Sequence, residues 1–121
     1  MAKVTFKRAI AAMGLASALV LSAPVAAQFY SDGYEFLKAV EEKDGDKVTE
    51  MLDAPGSTVI NARDLTSGRS ALHIVVERRD VTWVNFLRQQ GANVNIRDDD
   101  GITPLMLAAQ IGFVEGVEAL A

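Results

Sequence analysis

The residues that could support catalysis or metal binding are few in this 121-residue chain. His73 is the single histidine, and the chain has no cysteine. A Ser-His-Asp relay or a histidine-rich zinc site would therefore have to be built on His73 alone. Because catalysis needs a nucleophile, a base and an orienting group together, the sequence predicts no enzyme and no catalytic residues.

One acidic stretch, Asp98-Asp-Asp-Gly101, resembles part of a calcium-binding loop. An EF-hand loop with Gly101 in its sixth place would begin at Ile96 and end at Leu107, and neither side chain can ligate a cation. A turn rich in turn-forming residues is the better interpretation. We therefore expect no metal site and no cofactor.

Trp83 is the single tryptophan, and tryptophan is enriched at the centres of protein interfaces. Its spacing also suits packing between two helices. Core packing is the favoured interpretation of Trp83, and contact with a partner is the alternative.

The elements that must position these residues are repeated. Gly68-Arg-Ser-Ala-Leu-His-Ile-Val-Val returns 33 residues later as Gly101-Ile-Thr-Pro-Leu-Met-Leu-Ala-Ala. The same spacing relates four apolar pairs, Leu72 and Leu105, Val81 and Val114, Val84 and Val117, and Leu87 and Leu120. A fixed period of this length is typical of repeat proteins.

Each copy predicts a pair of helices. The first complete copy has helices over residues 71–78 and 81–89, and Gly91 suits the left-handed residue that ends the second of them. In the next copy Thr103 is the expected N-cap, Pro104 fills the first helical position, and another helix begins near Phe113.

An earlier, degenerate copy is predicted before these two. Ser31 and Asp32, with Glu35 after them, predict the start of a helix over about residues 33–43. Val48, Met51 and Leu52 then occupy the apolar positions of a second helix. This copy lacks the preceding loop, as expected of a terminal capping unit.

These motifs resemble the ankyrin repeat, whose pattern runs D-x-x-G-x-T-P-L-H-x-A-A, then G-x-x-x-x-V-x-x-L-L, then G-A-x-V-N. The resemblance implies an all-α solenoid of about three helix pairs with short β-hairpin loops. It divides residues 28–121 into a capping repeat (28–61), a second repeat (62–95) and an incomplete third repeat (96–121). It also implies that His73 makes hydrogen bonds within the turn that connects neighbouring repeats.

The second repeat departs from the ankyrin pattern at four positions. Val75 and Val76 replace Ala-Ala, Arg79 replaces Gly, and Arg88 replaces Leu. Bulk at the first three is expected to push the helix pair apart or to be absorbed by a neighbour. The aliphatic stem of Arg88 can still cover apolar surface.

The first 27 residues have the organisation of a secretory signal peptide. Basic residues at Lys3, Lys7 and Arg8 precede an uncharged run over residues 9–21, and a Val-x-Ala site follows at Ala27. The run is shorter than the roughly 20 residues that a membrane span needs, although a span is the alternative. We expect cleavage after Ala27, location in the periplasm or outside the cell, and no stable membrane insertion after processing.

The remaining chain is acidic. Three of the 12 basic residues and none of the 16 acidic residues lie in the first 27, which leaves a net charge of −7. Such a chain repels nucleic acid at long range, so nucleic acid is not an expected partner.

The ankyrin resemblance implies a module that binds, masks or stabilises another protein. Its partner-binding positions correspond here to Arg63, Leu65, Thr66, Arg69, Glu77, Arg78, Arg97, Asp99, Asp100, Ile102, Gln110 and Ile111. The alternatives are a structural or non-functional fragment of a longer ankyrin protein and, less favoured, a hydrolase that uses acidic residues. Because no polar capping unit follows Leu120, we expect a truncated product, with self-association through that end as an open alternative.

Overall fold

The computed structural model describes the backbone of residues 25–121 and the side chains of residues 31–121. The body of the predicted signal peptide lies outside these residues, and its cleavage stays a prediction. In the described part of the chain no helix is long and apolar enough to cross a membrane.

Residues 25–121 form six α-helices and no strand. The helices are α1 (Val25–Glu41), α2 (Gly45–Asp53), α3 (Ala71–Glu77), α4 (Val81–Gln89), α5 (Pro104–Gln110) and α6 (Val114–Leu120), with one 3-10 turn at Val59–Asn61. Helices α3 and α4 pack as a pair, as do α5 and α6. The pairs stack through α3 on α5 and through α4 on α6. The predicted all-α stack of helix pairs is therefore confirmed.

Side-chain caps explain where three of the helices begin. Asp44 accepts a hydrogen bond from the Lys47 N–H at 3.1 Å, and Asp80 accepts one from the Trp83 N–H at 3.2 Å. Thr103 accepts one from the Met106 N–H at 3.2 Å, immediately before Pro104. Each cap satisfies an N–H that has no partner within its own helix.

The first helix begins about eight residues earlier than predicted, whereas its end agrees with the prediction to within two residues. Ser31 and Asp32 lie inside α1, which begins at Val25 rather than near residue 33. Residues 25–32 contain neither glycine nor proline, so an established helix extends through them at little cost and overrides the local capping pattern. The helix ends at Glu41 because Lys43 takes a left-handed backbone conformation, with φ 57°.

The predicted β-hairpin loops are turns without strands. The one bridge in the described residues pairs Arg63 with Ser70. The second-repeat tip (residues 64–68) is closed by the Asp64 N–H donating to the Arg69 carbonyl at 2.8 Å. The third-repeat tip (residues 98–101) is closed by the Asp98 N–H donating to the Ile102 carbonyl at 3.0 Å. Their stems are too short to form a ladder.

The turn between the two helices of each repeat contains a left-handed residue. Lys43, Arg79 and Gly112 occupy this position with φ of 57°, 58° and 71°. Only glycine adopts it without strain, so each of the other two costs about 1 kcal/mol. The Arg79 side chain extends to the carbonyl of Ile111, so its bulk is accommodated against the next repeat.

One apolar core runs through all three repeats. It includes Phe36 and Val40 of the first repeat, Leu72 and Val75 of the second, and Leu107 of the third. Since the sequence has no cysteine, no disulfide contributes to stability, and packing between neighbours must supply it. The core is continuous, so each repeat depends on the next.

Equivalent leucines of successive repeats should differ in their contribution to stability. Leu72 is 1% exposed, whereas Leu105 is half-buried. Leu72→Ala is expected to cost about 2–5 kcal/mol of unfolding free energy, and Leu105→Ala clearly less. Urea unfolding of the two variants measures the difference, and equal losses would contradict the assigned burial.

Candidate functional site

The second-repeat tip is held by one carboxylate. Asp64 Oδ2 accepts hydrogen bonds from the Ser67 N–H at 2.8 Å, the Ser67 hydroxyl at 2.8 Å and the Thr66 N–H at 3.2 Å. These bonds, above all those from Ser67, hold the pKa of Asp64 below its ordinary value. The tip is fixed although Leu65, which it carries, is 78% exposed.

The third-repeat tip is built in the same way. Asp98 Oδ1 accepts from the Ile102 N–H and the Asp100 N–H, both at 2.9 Å. Hydrogen bonding from Ile102 lowers the pKa of Asp98, and the Asp100 N–H and the charge of Arg69 act in the same direction. Asp99 and Asp100 are left exposed at the tip.

The two tips are joined to each other. The Asp99 N–H donates to the Ser67 carbonyl at 3.0 Å. Arg63 donates through Nε to the Gly68 carbonyl at 2.9 Å and pairs with the Asp99 carboxylate at 3.2 Å. A side chain at Gly68 would collide with Asp99 and Arg63, so these contacts require glycine there. The tips therefore form one continuous surface across two repeats.

The predicted contact residues beside the tips differ in exposure. Arg69 pairs with Glu77 at 2.6 Å along the length of α3. Arg97 donates to the Gly101 carbonyl at 2.9 Å and is exposed. Gln110 is exposed, whereas Ile102 and Ile111 are half-buried. All of these positions present at least part of their surface to solvent.

Arg78 was predicted to contact a partner, but its side chain also makes contacts within the protein. Its Nη1 donates to the Val40 carbonyl in the first repeat at 2.8 Å, and its Nη2 lies 3.3 Å from Asp80. The guanidinium also lies over the Trp83 ring, 5.6 Å from the ring centre. Its assignment to partner binding stays a prediction, but the side chain is already bound within the protein.

Trp83 is half-buried and packs against the core. Its ring meets Phe86 edge-on, with centroids 5.6 Å apart and an interplanar angle of 78°. This is a favourable aromatic geometry. Core packing therefore accounts for one side of the indole, and the exposed side leaves the partner-contact alternative open.

The sequence analysis missed two arginines that link the second repeat to the third. Arg79 donates to the Ile111 carbonyl, and Arg88 donates to the Ala119 carbonyl at 2.6 Å. Both acceptors lie at the carboxyl-terminal ends of helices in the third repeat, where carbonyls have no partner within the helix. Their departures from the ankyrin pattern were the available signal.

His73 is fully buried and joins two repeats, as its motif position implied. Nδ1 lies 3.1 Å from the Ser70 nitrogen and 2.9 Å from the Ser70 hydroxyl oxygen. Nε2 lies 2.7 Å from the Ile102 carbonyl oxygen. Both ring nitrogens are thus engaged. No group of three potential metal ligands occurs among the residues that the structure describes.

Comparison with known proteins identifies the arrangement. A family model described as ankyrin repeats in three copies matches residues 36–121. A solved structure, the ankyrin repeat domain of Bcl-3, a member of the IkappaB family, superposes with a TM-score of 0.64 and 33% identity. The match covers 70% of this chain and 36% of that one.

Curated relatives match over shorter parts of their length. A putative ankyrin repeat protein of fowlpox virus, FPV031, is 47% identical over 49% of this chain and 17% of its own length. Human 2-5A-dependent ribonuclease is 32% identical over 69% of this chain and 11% of its own length. The chicken nuclear factor NF-kappa-B p105 subunit is 42% identical over 54% of this chain and 7% of its own length. The chain thus spans less than a fifth of these relatives.

The carboxylates of the tips should make stability fall in acid. Because the folded-state pKa of Asp64 is lowered, its contribution is present above the ordinary value of 3.8 and is lost as pH falls through the folded value. Asp64→Ala should cost at most about 1 kcal/mol at pH 7, since solvent screens this exposed loop. Urea unfolding between pH 7 and pH 3 should show the two proteins converging in acid, and a constant difference would contradict this role.

Proposed function

The chain belongs to the ankyrin repeat family, and on that premise we propose that it is a non-catalytic module that binds another protein through the two joined tips and the adjoining ends of α3 and α5. Ankyrin repeats are protein–protein interaction modules. The observation that carries the proposal is the junction of the tips through Asp99, Ser67 and Arg63. It creates a preformed surface that spans two repeats.

A preformed surface favours binding because little conformational entropy is lost when the partner arrives. Leu65 and Thr66 project from a tip that Asp64 fixes with three hydrogen bonds. Leu65 can therefore enter an apolar pocket of a partner without first being ordered. Arg97 and Asp100, both exposed, can add charged contacts at the edge.

The net charge of −7 over residues 28–121 bears on the partner. An acidic protein attracts basic protein surfaces at long range and repels polyanions. A protein with a basic surface around an apolar pocket therefore fits better than a nucleic acid. Masking or stabilising such a protein requires no chemical step by this chain.

We further propose that the module acts after export, in the periplasm or outside the cell. The support is the sequence of residues 1–27, with its basic start, apolar centre and Val-x-Ala end.

An intact-mass measurement tests export. The chain, produced with its first residues in place in a bacterial host with a periplasm, should be recovered there without residues 1–27. An unprocessed protein held in the inner membrane would contradict both the location and the cleavage site.

The binding surface is tested by exposed substitutions with matched controls. Leu65→Ser and Arg97→Glu should each weaken the binding of a purified partner by about 1–3 kcal/mol. The melting temperature of each variant should stay nearly unchanged. Val114→Ser and Glu115→Lys, at exposed positions of α6 outside the proposed surface, are the controls. Partners are first captured with the wild-type chain, and affinities are then measured by calorimetry.

The opposite pattern would exclude this surface. If the tip variants bound as tightly as the wild type while the α6 variants lost affinity, the partner would contact the other side of the stack. If no protein bound the wild-type chain above background, the proposed function itself would be wrong.

A further inference from the structure

The single histidine connects the second repeat to the third inside the stack. His73 lies in the first turn of α3, and its Nε2 contacts the carbonyl of Ile102, immediately before the Thr103 cap of α5. The imidazole is 0% exposed and Ser70 is 2% exposed. Water therefore cannot replace either partner of the ring while the repeats are closed.

The partners of the ring fix its protonation state. The backbone N–H of Ser70 can only donate, so Nδ1 must present a lone pair to it. The carbonyl of Ile102 can only accept, so Nε2 must carry the proton. The closed arrangement therefore requires the neutral imidazole with its proton on Nε2.

Protonation of Nδ1 is incompatible with this arrangement. It would turn an N–H toward the N–H of Ser70, which is one of the N–H groups at the start of α3 that lack a partner within the helix. The Ser70 hydroxyl, 2.9 Å away, could rotate to accept the new proton. The backbone N–H would still be left buried without an acceptor, at a substantial cost.

The charged groups around the ring do not remove this conflict. Asp98 favours the protonated ring, whereas Arg69 and Arg63 disfavour it, and α5 carries no charged residue. Burial away from water is the largest influence and lowers the pKa of His73 below its ordinary value. The hydrogen bond to Ile102 opposes that shift without reversing it.

We propose that Ser70, His73 and the Ile102 carbonyl form an acid-sensitive latch that holds the third repeat on the second. Other polar links across this interface are donated by the Asp99 backbone N–H and by the side chains of Arg63, Arg79 and Arg88. Neither a backbone N–H nor a guanidinium group changes its protonation near neutral pH. Protonation of His73 therefore selectively loosens the connection at the start of α5. If the proposed binding surface is correct, the loosening also separates its two tips.

The direction of the pH effect follows from the neutral folded state. Above the unfolded-state pKa of about 6.5 both states hold a neutral ring, and the latch has its full strength. Below that value the open state binds a proton that the closed state excludes. Opening therefore becomes up to tenfold more frequent for each pH unit, until the folded-state pKa is reached.

Nuclear magnetic resonance of the whole chain between pH 7.5 and pH 5 provides the test. The one imidazole can be titrated directly, and amide exchange, corrected for its intrinsic pH dependence, reports opening of each helix. We expect the opening constants of α5 and α6 to rise by up to tenfold per pH unit below about 6.5. Those of α2 should stay constant, which excludes a general effect of acid.

His73→Met is the matched control, because Met106 occupies the equivalent position of the third repeat. This variant should open more often at pH 7.5 and show no change in opening between pH 7.5 and pH 5. Should it fail to fold, titration of the wild-type imidazole alongside wild-type exchange still decides. Constant opening of α5 and α6 in the wild type, or an equal pH response in His73→Met, would overturn the latch.

A binding measurement separates the latch from the proposed function. The affinity of a captured partner at pH 5 and pH 7.5 is compared for the wild type and His73→Met. A pH-dependent affinity in the wild type alone supports both the latch and the surface. Acid-induced opening without loss of affinity supports the latch and excludes a surface that needs both tips.

Discussion

The structure depends on the interface between successive repeats, because no single helix pair can bury its own apolar face. The side chains of α3 that face this interface, Leu72, Val75 and Val76, are at most 1% exposed, and the stack contains no disulfide. The same interface joins the loops, since Asp99 of the third repeat completes the tip of the second. Stability and the proposed binding surface therefore depend on the same contacts, and loosening one loosens the other.

The second repeat supplies most of the polar contacts between repeats. Arg78 donates to Val40 at the end of α1, Arg79 to the residue after α5, and Arg88 to Ala119 at the end of α6. Each guanidinium satisfies a carbonyl at the negative end of a helix in a neighbouring repeat. The departures from the ankyrin pattern at Arg79 and Arg88 are thus compensated by contacts that a local sequence pattern does not describe.

Local sequence signals, namely helix caps, turn residues and the spacing of apolar residues, made much of the fold predictable. Thr103, Pro104 and Gly91 act where their chemistry indicates, and the bounds of α3 and α4 follow from the spacing of apolar residues. The start of α1 was not predictable from Ser31 and Asp32, since helix extension outweighed a capping pattern. The partners of Arg78 and Arg88 lie more than 30 residues away, and no local rule relates them.

The charged residues are divided unequally among the repeats. The first repeat has eight acidic and three basic residues. The second has three acidic and five basic residues, and the third has five acidic residues and one basic residue. A tandem copy of the second repeat placed after itself would set Leu65 and Thr66, rather than Asp99, beside Arg63. Duplication of the middle repeat alone would therefore lose the Arg63–Asp99 ion pair between the tips, and each added copy would need an acidic loop of its own to keep that contact.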